Sequence, residues 1–392
     1  MFDNTEVAFA YRTDKELRKA GFLFSVIKYP WMVKAGKVLL NTALFIHFPV
    51  KWFLKPTIFG HFCGGETVTE CNKTIETLGK YNIKTILDYS SEGSEDEKSF
   101  DLTVNEIIRI IDAAALSHAI PFAVFKPTGI ARFGLLEQVA KQITLNASES
   151  SEFEKVKKRF DRICDHAAQM GIPVFVDAEE SWIQDAVDEL VVEMMLRYNQ
   201  QKPIVFNTLQ MYRCDRPDYL KRLTETARQK NFFVGLKLVR GAYMEKERLR
   251  AARLNYPSPV YASKPQTDAA YNNAVEYCFL NSDIITFCNG THNELSCALL
   301  TELINKNNLK HNDPHFWFAQ LYGMSDHISF NLSKEGHNVC KYLPYGPVKS
   351  VMPYLIRRAE ENTSIAGQTG RELQMIETEM RRRRRRSQKS EV

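Results

Sequence analysis

The chain lacks most of the signatures that assign chemistry at a glance. Its eight cysteines (Cys63, Cys71, Cys164, Cys214, Cys278, Cys288, Cys297, Cys340) form no C-x-x-C pair and no His/Cys cluster at zinc-ligand spacing. They are expected to be reduced, mostly buried thiols of a reducing compartment. Neither G-x-G-x-x-G nor G-x-x-x-x-G-K-[ST] occurs, which removes the usual marks of an open dinucleotide-binding sheet and of a P-loop. The amino terminus, MFDNTEVAFAYRTDKEL, has neither a basic start ahead of an apolar core nor the acid-free character of a transit peptide, so no secreted or organelle-imported precursor is expected. The longest charge-free run of its aromatic N-terminal region, 38–50, is thirteen residues, short of the about 20 that a spanning helix needs.

Acidic residues are missing altogether from 17–65, a stretch with seven Lys or Arg and many aromatics. Two compatible readings follow: a pair of helices packed on the main domain, and an interfacial basic-aromatic surface. The 392 residues are 44% hydrophobic and 25% charged, a globular composition for one large domain or two ordinary ones. The net charge of +5 belongs to the end of the chain, because residues 381–392 alone carry +6. A nucleic-acid-binding body is therefore not indicated, and the arginine run reads as a solvated, disordered tail.

What is present is a recurring pattern. Eight short apolar or β-branched runs begin at 85, 122, 173, 203, 233, 283, 316 and 339. The stretches between them have room for a helix and two loops, and 153–171 and 217–231 read as helices. Strand–helix units of this size build parallel sheets, and eight of them point to an α/β fold, a closed (βα)8 barrel. The expected division is a helical segment over 1–80, the barrel over 81–378 and a basic disordered tail over 379–392. The acidic loop 90–101 is a candidate lid, and 347–379 carries an amphipathic helix pattern.

Barrel active sites are assembled at the carboxyl ends of the strands. Polar residues there are Lys126, Asp177, Asn207 with Gln210, Lys237 with Arg240, Thr291 with His292, Tyr322 and Tyr342. Lys126 reads equally as an anion binder or Schiff-base former and as a salt-bridged structural lysine, with Asp177 as its partner. Arg357 and Arg358 stand on the helix after the last strand, where an RR-x-EE segment taken alone is a solvated face. A lone His292 argues against a metal site, and no Ser/His/Asp arrangement is legible. The mouth is cationic and offers no nucleophile, which suits a small anionic substrate and a cofactor that carries the chemistry.

Ten ordered motifs then give a resemblance. FCGGET (62–67), LDYSSEG (87–93), VFKPTG (124–129), VDAEES (176–181), LQMYR (209–213), KLVRGAY (237–243), THNE (291–294), QLYGMSD (320–326), KYLPYGP (341–347) and YLIRRAEEN (354–362) together resemble the FAD-dependent proline dehydrogenases over about 55–378. The chain looks like the monofunctional kind. The resemblance implies a distorted (βα)8 barrel with its last helix over the mouth, and oxidation of L-proline to Δ1-pyrroline-5-carboxylate by hydride transfer to FAD. Carried over residue by residue, it implies that Arg357 and Arg358, helped by Lys126, hold the proline carboxylate. Tyr342 and Leu321 would shape the ring pocket, and Tyr342 would disfavour hydroxyproline. Asp177, Ala178, Gln210, Lys237, Val239, Gly241, Ala242, Tyr243, Thr291, His292 and Glu361 would hold the flavin, with Glu92 as a lid partner for Arg357. Many bacterial members have Arg where Lys237 stands; the pattern here is similar to eukaryotic members, and it replaces a planar fork with a point charge near flavin N5. Partners implied are a membrane quinone as electron acceptor and pyrroline-5-carboxylate dehydrogenase in the pathway, with no nucleic acid. A cytoplasmic protein peripheral on the inner face of a bacterial membrane is the matching location. Rival readings are a hydroxyproline dehydrogenase and a class I aldolase-like lyase using Lys126.

Overall fold

Parallel neighbours require long crossovers, and the two widest sequence gaps hold two helices each. The strands of the computed structural model are β1 (Ile83–Tyr89), β2 (Ala123–Phe125), β3 (Val174–Val176), β4 (Val205–Gln210), β5 (Val234–Val239), β6 (Ile285–Gly290), β7 (Phe316–Leu321) and β8 (Val339–Tyr345). The described residues are 1–29, 31–33, 35, 36, 39, 54–90, 95–364 and 368–390, with side chains described outside 359–364, 368, 369, 389 and 390. The strands form one parallel sheet in the order β1-β8-β7-β6-β5-β4-β3-β2. A bridge between Ile86 and Phe122 joins β1 to β2 and closes the distorted (βα)8 barrel. Helices Phe133–Ala140 and Ala147–Met170 fill the gap between β2 and β3; Met244–Leu254 and Lys264–Leu280 fill that between β5 and β6.

Two layers of apolar side chains follow from the strand period of two. Outward residues pack on helix stripes such as Val104, Ile107 and Ile111 of Glu97–Ala115. Inward residues Ile86, Phe122, Val124, Phe175, Phe206, Cys288, Ala319 and Cys340 fill the barrel. Phe122 stacks on Phe175 at 4.5 Å between ring centres and meets the edges of Phe206 and Trp317 at 5.6 and 4.9 Å. Gly235 stands where a Cβ would lie 2.5 Å from the Phe206 ring, so β5 has no room for a side chain at that height. The barrel is thus a plugged core, and polar residues are confined to its rim.

The chain ends meet each other. Leu17, Ala20 and Phe24 of helix Asp14–Ile27 share a buried cluster with Met375 and Ile376 of the C-terminal helix Gln368–Ser390. The basic segment expected to be a disordered tail therefore continues a helix to Ser390, and the boundary expected at 378–379 runs through that helix. The reason is a buried acceptor: Glu379 takes Arg382 Nε at 2.8 Å, Arg383 Nε at 2.7 Å and Thr5 Oγ1 at 3.0 Å. Arg383 also donates to the carbonyls of Phe9 and Arg12, so it holds the N-terminal arm as well.

The expected lid is in part helical, since Asp96 caps helix Glu97–Ala115 through Ser99 N at 3.0 Å. Glu92 lies outside the described residues, as does most of the charge-free run 38–50. Among the described residues no helix is long and apolar enough to cross a membrane. All eight cysteines are free, and seven of them are buried.

Candidate active site

One register step above the apolar plug, the inward positions turn polar. Two residues beyond Ile86, Val124, Phe175 and Gly235 stand Asp88, Lys126, Asp177 and Lys237. Lys126 Nζ donates to Asp88 at 2.7 Å and lies 4.0 Å from Asp177. Asp177 has a closer cation in Lys237, whose ammonium also donates to Tyr342 Oη at 2.7 Å. Tyr342 Oη in turn donates to the same Asp177 oxygen at 3.1 Å. Lys126 is therefore primarily the partner of Asp88, because β1 and β2 adjoin where the barrel closes, and Asp177 belongs to Lys237. The alternation of two ammoniums and two carboxylates makes the floor of the mouth electrically balanced. Lys237 is 5% exposed and lies over the Tyr342 ring at 4.6 Å, so its ammonium is held inside the barrel against an aromatic face. Burial and the carboxylates of Asp177 and Asp88 keep Tyr342 protonated, well above the usual phenol range.

The rim is built on backbone cradles. Gln210 at the end of β4 donates to Glu179 O at 2.6 Å and accepts from Ala242 N at 3.1 Å, tying the loops after β3, β4 and β5 together. Gly241 has φ +135°, and a Cβ there would lie 2.4 Å from the Tyr212 ring, so only glycine fits that turn. At Gly290 a Cβ would meet Leu238 O at 3.0 Å and Val239 Cγ1 at 3.2 Å, so β6 lies close against β5 beside Lys237 with little room for a side chain.

Cations are fewer at the mouth than expected. Arg240 follows inward-facing Val239 and faces the opposite way, donating to Asp268 at 2.7 Å, Thr291 Oγ1 at 2.6 Å and Ser296 Oγ at 2.9 Å. It orients Thr291 and spends its charge on Asp268. Asn207 likewise faces outward, to Asp188 and the Tyr219 hydroxyl. Tyr322, one residue past inward-facing Leu321, is half-buried near Arg12 and Asp326. His292 is neutral: burial first, then the charges of Lys341 and Arg358, lower it to about 3.

Arg357 and Arg358 lie on helix Val348–Ser364 after β8. Arg357 lines a cleft of about 610 Å³ with Thr128, Glu179, Glu180, Tyr243 and Lys246. Arg358 lies over the Tyr354 ring at 5.3 Å. Successive residues of a helix point about 100° apart, so the two guanidinium groups leave the helix in different directions. The side chain of Glu361 lies outside the described ones. Among the described residues no His/Cys/Asp/Glu group could hold a metal.

Sequence reasoning missed Asp88, Glu179 and Ser325. Asp88 was findable, since it ends a strand two residues beyond Ile86. Glu179 stands two residues beyond Asp177 and accepts from Thr128 N at 3.0 Å and Thr128 Oγ1 at 2.7 Å. Its burial outweighs those bonds and raises it to about 7. Nothing local marks Ser325, which donates its backbone N–H to Glu372 and contacts His292 Nδ1 at 2.8 Å.

Comparison with known proteins points to one family. The family model described as Proline dehydrogenase matches residues 71–371. A "Carbapenem antibiotics biosynthesis protein CarD" of Pectobacterium carotovorum is 37% identical, over 82% of this chain and 83% of that one. A "Proline dehydrogenase 1, mitochondrial" of Dictyostelium discoideum is 34% identical, over 86% of this chain and 66% of that one. Among solved structures, proline utilization A of Bdellovibrio bacteriovorus superposes with a TM-score of 0.72 at 21% identity, over 92% of this chain. The chain spans 38% of the length of that protein, so this likeness speaks for the fold alone.

Proposed function

Because the chain belongs to the proline dehydrogenase family, we propose that it oxidises L-proline to Δ1-pyrroline-5-carboxylate with FAD as cofactor. A bound flavin would take the hydride from the carbon beside the proline nitrogen. Everything else is the work of this chain's residues. The observation that carries the reading is the inward ring of Lys126–Asp88 and Lys237–Asp177–Tyr342 at the carboxyl ends of the strands, with Arg357 and Arg358 on the helix that follows β8. Arg357 and Arg358 bind the substrate carboxylate, and a guanidinium fork sets its orientation as well as its charge. Lys126 adds positive potential on the same side. Leu321 and the Tyr342 ring form the apolar wall against the pyrrolidine, and the Tyr342 hydroxyl is fixed by Lys237 and Asp177. Lys237, a buried point charge at the mouth, favours negative charge accumulating beside it. Asp177, Ala178, Gln210, Val239, Gly241, Ala242, Tyr243, Thr291, His292 and Glu361 line the cofactor's path.

The rival lyase requires an uncharged Lys126 amine as nucleophile. Its hydrogen bond to Asp88 at 2.7 Å favours the ammonium instead. Electrons would leave to a membrane quinone, and the product would pass to pyrroline-5-carboxylate dehydrogenase. Peripheral membrane contact is supported by Phe22, Tyr29 and Trp31, which are 72, 50 and 67% exposed among Lys15, Arg18, Lys19 and Lys28. The test is a visible absorption spectrum of the purified protein, followed by anaerobic addition of proline. Flavin bands that bleach with proline are expected. A protein that binds no flavin, or whose flavin stays oxidised, would overturn the proposal.

A further inference from the structure

The turn after β7 is more tightly determined than a loop needs to be. Leu321 ends β7 facing the mouth, and two of the next four residues are left-handed: Gly323 at φ +80° and Ser325 at φ +51°. Glycine is forced at 323, where a Cβ would lie 2.4 Å from His61 O. At 325 a glycine would be the easier residue, yet a serine is held in the strained conformation. Its hydroxyl lies 2.8 Å from His292 Nδ1, and its buried backbone N–H donates to the carboxylate of Glu372.

Glu372 comes from the C-terminal helix, far outside the barrel strands, and is 3% exposed. A carboxylate so buried needs a partner or a task. Nearby, Asp326 is already taken by Lys341 at 2.9 Å, Arg12 at 3.0 Å and the Tyr11 hydroxyl at 2.8 Å. Lys341 also donates to Met324 O, so cation, carboxylates and turn form one block beneath the mouth. At the other end, His292 Nε2 faces the backbone N–H of Leu321 at 3.5 Å. Leu321 N–H can only donate, so Nε2 is the bare nitrogen and Nδ1 carries the proton toward Ser325 Oγ.

We propose that Glu372 is a positioning residue: it pins the left-handed turn at Ser325, and through the Ser325 hydroxyl, which accepts from Nδ1–H, it holds the His292 ring at the mouth in the orientation that keeps Nε2 on Leu321 N–H and so preserves the Nδ1–H tautomer. The inference rests on the reading of that mouth as the redox site only for its effect on catalysis. The relay itself is a property of the chain. It also gives the C-terminal helix a role beyond packing on the N-terminal arm, since the helix delivers one carboxylate to the turn behind β7.

The test compares flavin-loaded E372A, E372Q and S325G with the unaltered protein at neutral pH. Readouts are the ¹⁵N shifts of the His292 ring, the flavin spectrum and reduction potential, kcat and KM for proline, and Tm. Expected is a change of tautomer or a mixture in E372A and in S325G, and a loss in kcat on the order of tenfold, the worth of one hydrogen bond. E372Q keeps an oxygen acceptor for Ser325 N–H and should recover the tautomer and most of the rate lost in E372A. S325G relieves the backbone, so its Tm should not fall while His292 still changes. A lowered Tm in E372A with ring shifts, spectrum and kcat unaltered would reduce Glu372 to a helix staple and overturn the proposal. S325G with unaltered ring shifts would overturn it even if E372A fails to fold. Failure of the unaltered protein to bind flavin or oxidise proline would instead sink the functional reading and leave the ring shifts to decide the relay.

Discussion

The balance of charge in the barrel mouth makes a quantitative demand. Asp177→Asn leaves the Lys237 ammonium with the Tyr342 hydroxyl and no adjoining carboxylate, because Asp88 is engaged by Lys126. Stranding one partner of a buried pair costs about 3–5 kcal/mol. Lys237→Met strands Asp177 instead, but Asp177 keeps Lys126 at 4.0 Å and is 15% exposed at its side chain. Its cost should be nearer about 2 kcal/mol. The double variant removes one charge of each sign and restores neutrality with Asp88–Lys126 intact. It should be less destabilised than the sum of the singles by about 2 kcal/mol. Urea unfolding of all four proteins stripped of FAD, so that no difference in cofactor affinity enters through ligand linkage, measures this cycle. Additivity within about 0.5 kcal/mol would refute the pairing of Asp177 with Lys237.

Four further outcomes are expected. Arg357→Met and Arg358→Met should each raise KM for proline about ten- to a hundredfold with flavin retained, since each removes a charged hydrogen bond worth roughly 1.5–3 kcal/mol; an unchanged KM in steady-state assays would take the arginine out of the site. Tyr342→Ser should lower kcat/KM for proline and narrow the gap to 4-hydroxyproline, and an unaltered protein that already prefers hydroxyproline would contradict the role of Tyr342. Glu179, raised to about 7 by burial, binds its proton more tightly folded than unfolded, so its contribution is present below about pH 4.5 and is lost as pH rises to about 7. Unfolding titrations of Glu179→Gln should show that slope, at most about 3 kcal/mol, removed; an identical slope in both proteins would show that Glu179 ionises normally. Deleting 384–392 should weaken sedimentation with anionic vesicles at low salt and leave Tm unchanged, whereas deleting from 381 should also lower Tm, because buried Glu379 then loses Arg382 and Arg383; equal vesicle binding with and without 384–392 would show that those arginines do not meet the bilayer.

The barrel was legible because each strand carries β-branched and aromatic residues between helix-length gaps, and a parallel return admits few alternatives. The site was legible in part, through the rule that chemistry sits at strand carboxyl ends. That rule returned Lys126, Asp177, Gln210, Lys237 and Tyr342 on the inward face, and with them Asn207, Arg240 and Tyr322, each one residue out of phase. Strands buried on both faces read as continuous apolar runs, so nothing in PIVFNT or FVGLKLV shows which parity faces inward. Packing decides it: once Phe206 fills the space beside Gly235, Thr208, Gln210 and Lys237 face inward, and Asn207 has to satisfy Asp188 outside.

Charges whose partners lie far along the chain were the least legible. A run of six arginines has no local acceptor to order it, so composition alone makes it a solvated tail. In the fold, Glu379 lies one helical turn before Arg382 and Arg383, and Thr5, Asp14 and the Phe9 carbonyl approach from the opposite end of the sequence. Those contacts convert two of the six arginines from solubilising charges into the fastening of the N-terminal arm. The same arm brings Tyr11 and Arg12 to Asp326, and the same helix brings Glu372 to Ser325. Both ends of the chain therefore converge on the turn behind β7, whose first residue, Leu321, faces the mouth. A sequence reading that sets the two ends aside as appendages separates that turn from the groups that hold it.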